Sequence, residues 1–262
     1  MNVIEKRGDL RTIILAAGKG TRMNSDLAKV LHPLCGKPML GYVVQIARKI
    51  CSGEILVIVG HQAEEVKARF SGQDLIFIDQ QQLLGTGHAV LQARKRLENY
   101  SGTVLILCGD VPLLRLSTVK SLFDCHSAAG ATVTVLTTIL PDPTGYGRIV
   151  KGPGGDILGI VEERDATEEV KKVKEINTGI YCIESPFLFE ALMKINNNNA
   201  QKEYYLTDIV AAACKNKLKA GTLIAADARE VMGINTQDEL QTAQLLLERM
   251  KRGSRKSCDA TR

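Results

Sequence analysis

Thr12-Ile13-Ile14-Leu15-Ala16-Ala17-Gly18-Lys19-Gly20-Thr21-Arg22-Met23 begins as an apolar run and ends as a glycine turn carrying two cations. Residues 12–16 show no alternation of apolar and polar side chains, the pattern of a parallel strand buried on both faces rather than of a strand with one wet face. The pattern returns at residues 55–59 (ILVIV) and 104–108 (VLILC), with a further short run at 75–78. Between these runs, residues 39–50, 63–70 and 88–97 carry apolar side chains three and four positions apart, as helices with one buried face do. Strand and helix therefore alternate, and an α/β fold with a Rossmann-like, doubly wound sheet is expected.

The second half reads as more antiparallel. A helix is expected at residues 117–129 and a strand at ATVTVLTT, residues 131–138. A turn-rich stretch at 141–147 precedes a hairpin around 149–161, then a strand at 179–183 and helices at 186–195 and 207–215. A strand at 223–226 and a last helix at 237–250 complete the pattern. No internal repeat and no Pro-rich linker is present, so the simplest division is one mixed α/β domain over residues 1–235. Its first half covers about 1–130 and a second lobe about 131–235, followed by a helix and basic tail at 236–262.

The 262 residues are 45% hydrophobic and 24% charged, an ordinary globular balance with enough chain for a large core. No apolar run is long enough to span a membrane, and the first ten residues lack the apolar core of a signal peptide, so a cytoplasmic protein is expected. Much of the formal charge of +5 comes from the tail, where Arg249, Lys251, Arg252, Arg255, Lys256 and Arg262 face only Glu248 and Asp259. A solvated tail is preferred there to one that binds nucleic acid or anionic lipid, and neither partner is expected. Seven scattered cysteines without a C-x-x-C pair argue against a disulfide framework or a zinc site and read as reduced thiols. No serine sits in a G-x-S-x-G elbow, which counts against triad hydrolases.

Ligands of open α/β sheets bind beyond the carboxyl ends of the strands, which is where the glycine turn at 18–20 falls. Gly18 and Gly20 let backbone N–H groups approach phosphate oxygens, and Lys19, Arg22 and Lys29 add cations within twelve residues. The spacing is neither the G-x-G-x-x-G of dinucleotide folds nor the P-loop G-x-x-x-x-G-K-[ST]. Asp110, in Cys108-Gly109-Asp110-Val111-Pro112, falls at the same edge and reads equally as a magnesium ligand beside a polyphosphate or as a turn aspartate.

Taken together, L-A-A-G-K-G-T-R-M, S-D-L-A-K-V-L, L-G-T-G-H-A, G-D-V-P-L, D-P-T-G-Y-G-R-I, I-V-E-E-R-D-A-T, E-I-N-T-G-I and E-Y-Y-L-T-D-I resemble the N-acetylglucosamine-1-phosphate uridyltransferases. The motifs stand in family order from Leu15 to about Asn235. The resemblance implies a nucleotidyltransferase domain of the glycosyltransferase-A-like kind, in which Leu15, Ala16, Ala17 and Gly18 hold base and ribose while Gln80, Gly85 and Thr86 complete a uracil pocket. It implies sugar contacts at Gly147, Glu162, Asn177 and Thr178, magnesium on Asp110 and Asn235, and catalytic cations at Arg22 and Lys29. The substrates implied are UTP and a sugar 1-phosphate, with UDP-N-acetylglucosamine, a cell-wall precursor, as product. Gln80 could otherwise be an exposed member of the run 80–82, Asn177 a turn residue and Asn235 a helix N-cap. A related transferase for another nucleotide or sugar, or a non-catalytic nucleotide-sugar-binding module, are the competing readings.

The sequence departs from the family's usual L-P-K at Leu27-Ala28-Lys29, and Cys108 stands where an aromatic residue commonly precedes Gly-Asp. Bacterial members are commonly bifunctional, with a C-terminal β-helix that acetylates and trimerises. The one helix and polar residues after Asn235 cannot form stacked hexapeptide turns. The expectation is therefore no acetyltransferase activity and a monomer or weak dimer.

Overall fold

The structure is a computed structural model that describes residues 10–51 and 53–259, with side chains through Arg249. In chain order its elements are β1 (Leu10–Ala16), the short hairpin β2 (Pro33–Leu34) and β3 (Lys37–Pro38), α1 (Met39–Ile50), β4 (Ile55–Val59), α2 (Ala63–Arg69), β5 (Ile76–Asp79), α3 (Thr86–Leu91), α4 (Arg94–Leu97) and β6 (Thr103–Cys108). There follow α5 (Leu116–Ala129), β7 (Val133–Ile139), β8 (Arg148–Lys151), β9 (Ile157–Val161), α6 (Glu168–Lys171), β10 (Glu175–Glu184), α7 (Ser185–Leu192), α8 (Asp208–Lys215), β11 (Ala220–Ile224) and α9 (Gln237–Asp259).

The main sheet has the order β11-β7-β10-β6-β1-β4-β5. β1 pairs in parallel with both β4 and β6, and β10 runs antiparallel to β6 and β7. The unalternating runs are explained by burial on both faces. Ile14 of β1 joins a core with α1 and α5, while Ile13 joins the opposite core with α3, α7 and α8. Truncating a side chain such as Ile14, which is wholly buried, to alanine would cost about 2–5 kcal/mol. The doubly wound sheet read from the sequence is the observed one.

Two features of this sheet build the site. The chain turns one way from β1 to β4 and returns on the other side at β6, which opens a crevice beyond the carboxyl ends of β1 and β6. Because β10 runs backwards, its first residues reach that same edge, with Tyr181 paired to Ile106 and Cys182 to Leu105.

The differences from the sequence reading are local. β10 begins at Glu175 rather than at Gly179, because Gly179, with φ of 78°, sits in a bulge between Asn177 and Ile180 instead of ending the strand. The helix expected at 88–97 divides into α3 and α4. The last helix runs to Asp259 rather than to residue 250, since the end of the apolar periodicity marks where packing stops and not where helix formers stop. Beyond Arg249 the side chains of the basic tail, and with them the reading of a solvated tail, lie outside the described residues. α9 packs Leu240 and Ala243 against Met23, Leu34, Met39 and Ile234, which anchors the segment leading to Asn235. No described helix is long and apolar enough to cross a membrane.

Candidate active site

The crevice is a cleft of about 550 Å³. Of the residues expected to hold nucleotide, Leu15, Ala17, Gly18, Gln80, Gly85 and Thr86 line it, as does Asp110. The Ala16 side chain is turned into the core with Val59 and Ala28, which leaves only its backbone for the base and ribose contact expected of it. Cys108, Leu83, Ala89 and Glu203 also line the cleft, none of them assigned to the site from the sequence. Glu203 arrives from the far end of the chain on a segment stitched to the 84–87 loop. The Tyr204 amide donates to the Leu84 carbonyl at 2.8 Å, and the Gly87 amide donates to the Tyr204 carbonyl at 2.8 Å. No short motif reveals that juxtaposition.

Gln80 follows β5 directly and is 4% exposed, so it is not a surface member of its glutamine run. Its amide nitrogen donates to the Gly85 carbonyl at 3.1 Å and lies 3.0 Å from His88 Nδ1. Burial holds the His88 imidazole below its usual pKa, which favours the neutral ring beside that amide.

At the other end of the cleft four side chains from distant parts of the chain converge. Lys29 ion-pairs with Asp110 and donates to Asn235 Oδ1 at 2.6 Å, while Arg22 Nη2 donates to the same Asn235 oxygen at 3.0 Å. Gly20 makes this possible. Its φ of 62° is left-handed, and a Cβ there would fall 2.5 Å from Lys29 Cβ. Asn235 is held from behind, its amide N–H donating to Glu239 Oε2 at 2.5 Å within the first turn of α9. The N-cap alternative is met in part by its neighbour, since Thr236 Oγ1 accepts from the Glu239 amide at 3.2 Å.

The residues expected to hold sugar form a second cluster. Gly147 precedes β8 and Glu162 follows β9, and the Asn177 amide donates to the Gly147 carbonyl at 2.9 Å. Asn177 Oδ1 accepts from the Gly179 amide and from the Tyr181 hydroxyl, each at 3.0 Å. Thr178 contributes no free side chain, for its hydroxyl donates to the Leu136 carbonyl at 2.7 Å and the residue is buried. Glu162 Oε1 accepts from Thr207 Oγ1 at 3.0 Å. Burial pushes its carboxyl above the usual carboxylate range; the Thr207 bond opposes that rise, and Asp208, Asp165 and Glu203 add to it. The two clusters meet where Cys108 Sγ donates to the Gly179 carbonyl at 3.3 Å. Burial, reinforced by Asp110, raises the Cys108 thiol well above its ordinary value, so it is a neutral wall and not a nucleophile.

Fixed amides, paired cations and hard oxygen donors at one sheet edge suit the binding of phosphate groups, as the fold of a nucleotidyltransferase requires. The family model of the MobA-like NTP transferase domain matches residues 12–151, and the chain belongs to that family. It is 51% identical over 237 residues to the bifunctional protein GlmU of Geobacter metallireducens, covering 90% of this chain and 50% of that protein. The GlmU of Syntrophotalea carbinolica is 50% identical over 244 residues, 93% of this chain and 52% of the relative. That of Desulfotalea psychrophila is 44% identical, covering 92% and 71%. The chain thus spans about half the length of the Geobacter and Syntrophotalea relatives. Among solved structures, a UDP-glucose pyrophosphorylase complexed with UDP-glucose has a TM-score of 0.74 at 18% identity, over 92% of this chain and 98% of that one, a likeness of fold.

Proposed function

We propose that the protein transfers a uridylyl group from UTP to N-acetylglucosamine 1-phosphate, giving UDP-N-acetylglucosamine, a peptidoglycan precursor, and pyrophosphate. The observation that carries this reading is the convergence of Lys29, Arg22, Asp110 and Asn235 at one end of a cleft whose other end holds the buried amide of Gln80. The similarity to GlmU proteins at about half identity supports the choice of substrates.

An oxygen of the sugar 1-phosphate attacks the α-phosphorus of UTP; the P–O bond to the β-phosphate breaks and pyrophosphate leaves. The attacking phosphate is already ionised near neutral pH, so no side-chain base is needed, and positioning and charge stabilisation do the work. In this reading Lys29 and Arg22 offset the negative charge of the phosphates. The residues Leu15, Ala17 and Gly18 position base and ribose, with Gln80, Gly85 and Thr86 matching the uracil edge. Glu162, Asn177 and the backbone at Gly147 and Thr178 orient the sugar.

The donor set suits a hard divalent cation such as Mg²⁺, since Asp110 Oδ2 and Asn235 Oδ1 already converge on one cation, the Lys29 ammonium. Among the described residues no group of three or more His, Cys, Asp or Glu could hold a metal unaided, which fits an ion shared with substrate phosphates and water. Mg²⁺ held by Asp110 and Asn235 would neutralise charge on the triphosphate and its transition state. The scattered cysteines, none in a C-x-x-C pair, fit the reducing cytoplasm as the place of reaction.

A panel of UTP, CTP, ATP, GTP and dTTP against N-acetylglucosamine, glucose, galactose and mannose 1-phosphates, read by pyrophosphate release with Mg²⁺, tests the reading. The highest kcat/KM is expected for UTP with N-acetylglucosamine 1-phosphate. A higher value for any other pair would reassign the substrates, and tight UTP binding without pyrophosphate release from any pair would make this a binding module.

A further inference from the structure

The scheme above leaves unused the largest of the fully buried side chains, Arg148, which is 1% exposed at the start of β8. Its Nη1 donates to the Tyr146 carbonyl, and its Nη2 donates to Glu163 Oε2 at 2.6 Å. The same Glu163 oxygen accepts the Gly145 amide at 3.1 Å. One buried guanidinium and one carboxylate oxygen therefore fix two consecutive backbone groups just ahead of Gly147.

An ion pair whose guanidinium is buried is a weak explanation for stability, because desolvating that charge offsets much of the attraction, Glu163 keeps 27% of its side chain exposed, and Arg148 Nε is left without a partner. The best-attested use of such a pair is to impose one geometry where others would compete. What it imposes is visible in the strand register. Arg148 stands opposite Val161 across the β8–β9 hairpin, so the next position outward sets Gly147 against Glu162. Two of the four sugar-contact candidates are thus chain neighbours of the pair, Gly147 of Arg148 and Glu162 of Glu163. The approach is close. A Cβ on Gly147 would lie 3.0 Å from Ile160 Cγ2 and 3.3 Å from Glu162 Oε2. Between the pinned carbonyl of residue 146 and the active-site edge, the Tyr146 hydroxyl reaches within 3.8 Å of Met232 Sδ, three residues before Asn235. The loop that Arg148 and Glu163 hold is therefore the part of the second lobe that reaches toward the phosphate end of the cleft.

We propose that Arg148 and Glu163 are positioning residues for the acceptor substrate: their ion pair sets the spacing between Gly147 and Glu162 and the reach of Tyr146, and so determines how well a sugar 1-phosphate is held. Neither side chain touches substrate in this account. The inference rests on the sugar-1-phosphate reading of the second cluster. It predicts a loss on one substrate alone, since the Gln80 end of the cleft shares no contact with the pair.

The test uses the full chain and three variants, Glu163→Ala, Glu163→Gln and Arg148→Lys, with KM for each substrate and thermal melting measured together. Glu163→Ala should raise KM for N-acetylglucosamine 1-phosphate by roughly 10- to 100-fold, the scale of a misplaced substrate contact, with KM for UTP unchanged. Glu163→Gln, which keeps an oxygen for Gly145 and Arg148, should recover most of that loss, and Arg148→Lys should fall between. Unchanged sugar KM in a folded Glu163→Ala or Arg148→Lys protein would overturn the proposal. Equal losses for both substrates, or failure of all three variants to fold, would assign the pair to the scaffold and overturn it as well. Turnover by the unsubstituted protein in the same series separates this outcome from the larger reading, for its absence would remove the sugar phosphate itself.

Discussion

Lys29 Nζ lies 2.6 Å from Asn235 Oδ1 across 206 positions of sequence, and the same ammonium ion-pairs with Asp110. A single cation thus occupies the meeting point of two oxygens that would otherwise face a triphosphate and its metal. The Lys29 side chain is 11% exposed in this position.

Lys29→Ala is expected to lower kcat by roughly 10² or more, because a preorganised charge at the reacting phosphate acts mainly in the transition state. Steady-state kinetics with both substrates varied provides the check. A rise in KM at unaltered kcat would place Lys29 in ground-state binding instead.

Asp110→Asn should abolish most turnover while the protein stays folded, since it removes the one carboxylate in the Lys29–Asn235 group. Far-ultraviolet circular dichroism would report the fold and pyrophosphate release the activity. Near-wild-type turnover at limiting Mg²⁺ would contradict the role assigned to this carboxylate.

The sheet and the glycine loop were legible in the sequence because both are local: TIILA, ILVIV and VLILC announce buried parallel strands, and Gly18 and Gly20 follow the first of them directly. Lys29 and Asp110 were read from the residues at the same sheet edge and the resemblance added Asn235, but nothing local could tell that the three side chains touch, since each arrives on a different loop. Glu203 opens the E-Y-Y-L-T-D-I stretch but carried no assignment, because its place in the cleft depends on the Tyr204–Leu84 and Gly87–Tyr204 backbone bonds, which leave no periodicity behind. Asn177 looked like a turn residue because Gly179 resembles a strand end; the bulge that keeps both inside β10 is a tertiary event. Arg148 gave no sign of burial, for an arginine beside two glycines reads as surface until its partners at Tyr146 and Glu163 are seen.

Gln80→Ala should erode the preference for UTP over CTP. Because Gln80 is buried and bonded to the Gly85 carbonyl, its loss should also cost about 0.5–1.5 kcal/mol, the net worth of one bond, since that carbonyl keeps the Ala89 amide at 3.1 Å. Competition kinetics and chemical denaturation measure the two effects separately. Discrimination that survives in a folded Gln80→Ala protein would remove this amide from the uracil pocket.

Glu162 carries a pH signature. Burial, first among the causes, raises its carboxyl pKa above the ordinary value, so the folded protein favours the protonated form. Stability from this group is present below the ordinary carboxylate pKa and is lost as pH rises through the raised value. Glu162→Gln keeps an acceptor for Thr207 without the charge, so its melting temperature should gain on the parent as pH rises from acid toward neutral. A difference in melting temperature that stays constant over that range would show that the Glu162 carboxylate is not desolvated in the folded protein.

In the proposed reaction the bond broken lies between the α- and β-phosphates of UTP and the new bond joins the α-phosphorus to a sugar phosphate. UTP labelled at the α-phosphorus, incubated with N-acetylglucosamine 1-phosphate, Mg²⁺ and the protein, tests it directly. The label should move into UDP-N-acetylglucosamine one-for-one with pyrophosphate released, and should remain in UTP with Asp110→Asn. Label recovered as UMP, or pyrophosphate released without a labelled sugar nucleotide, would contradict the account.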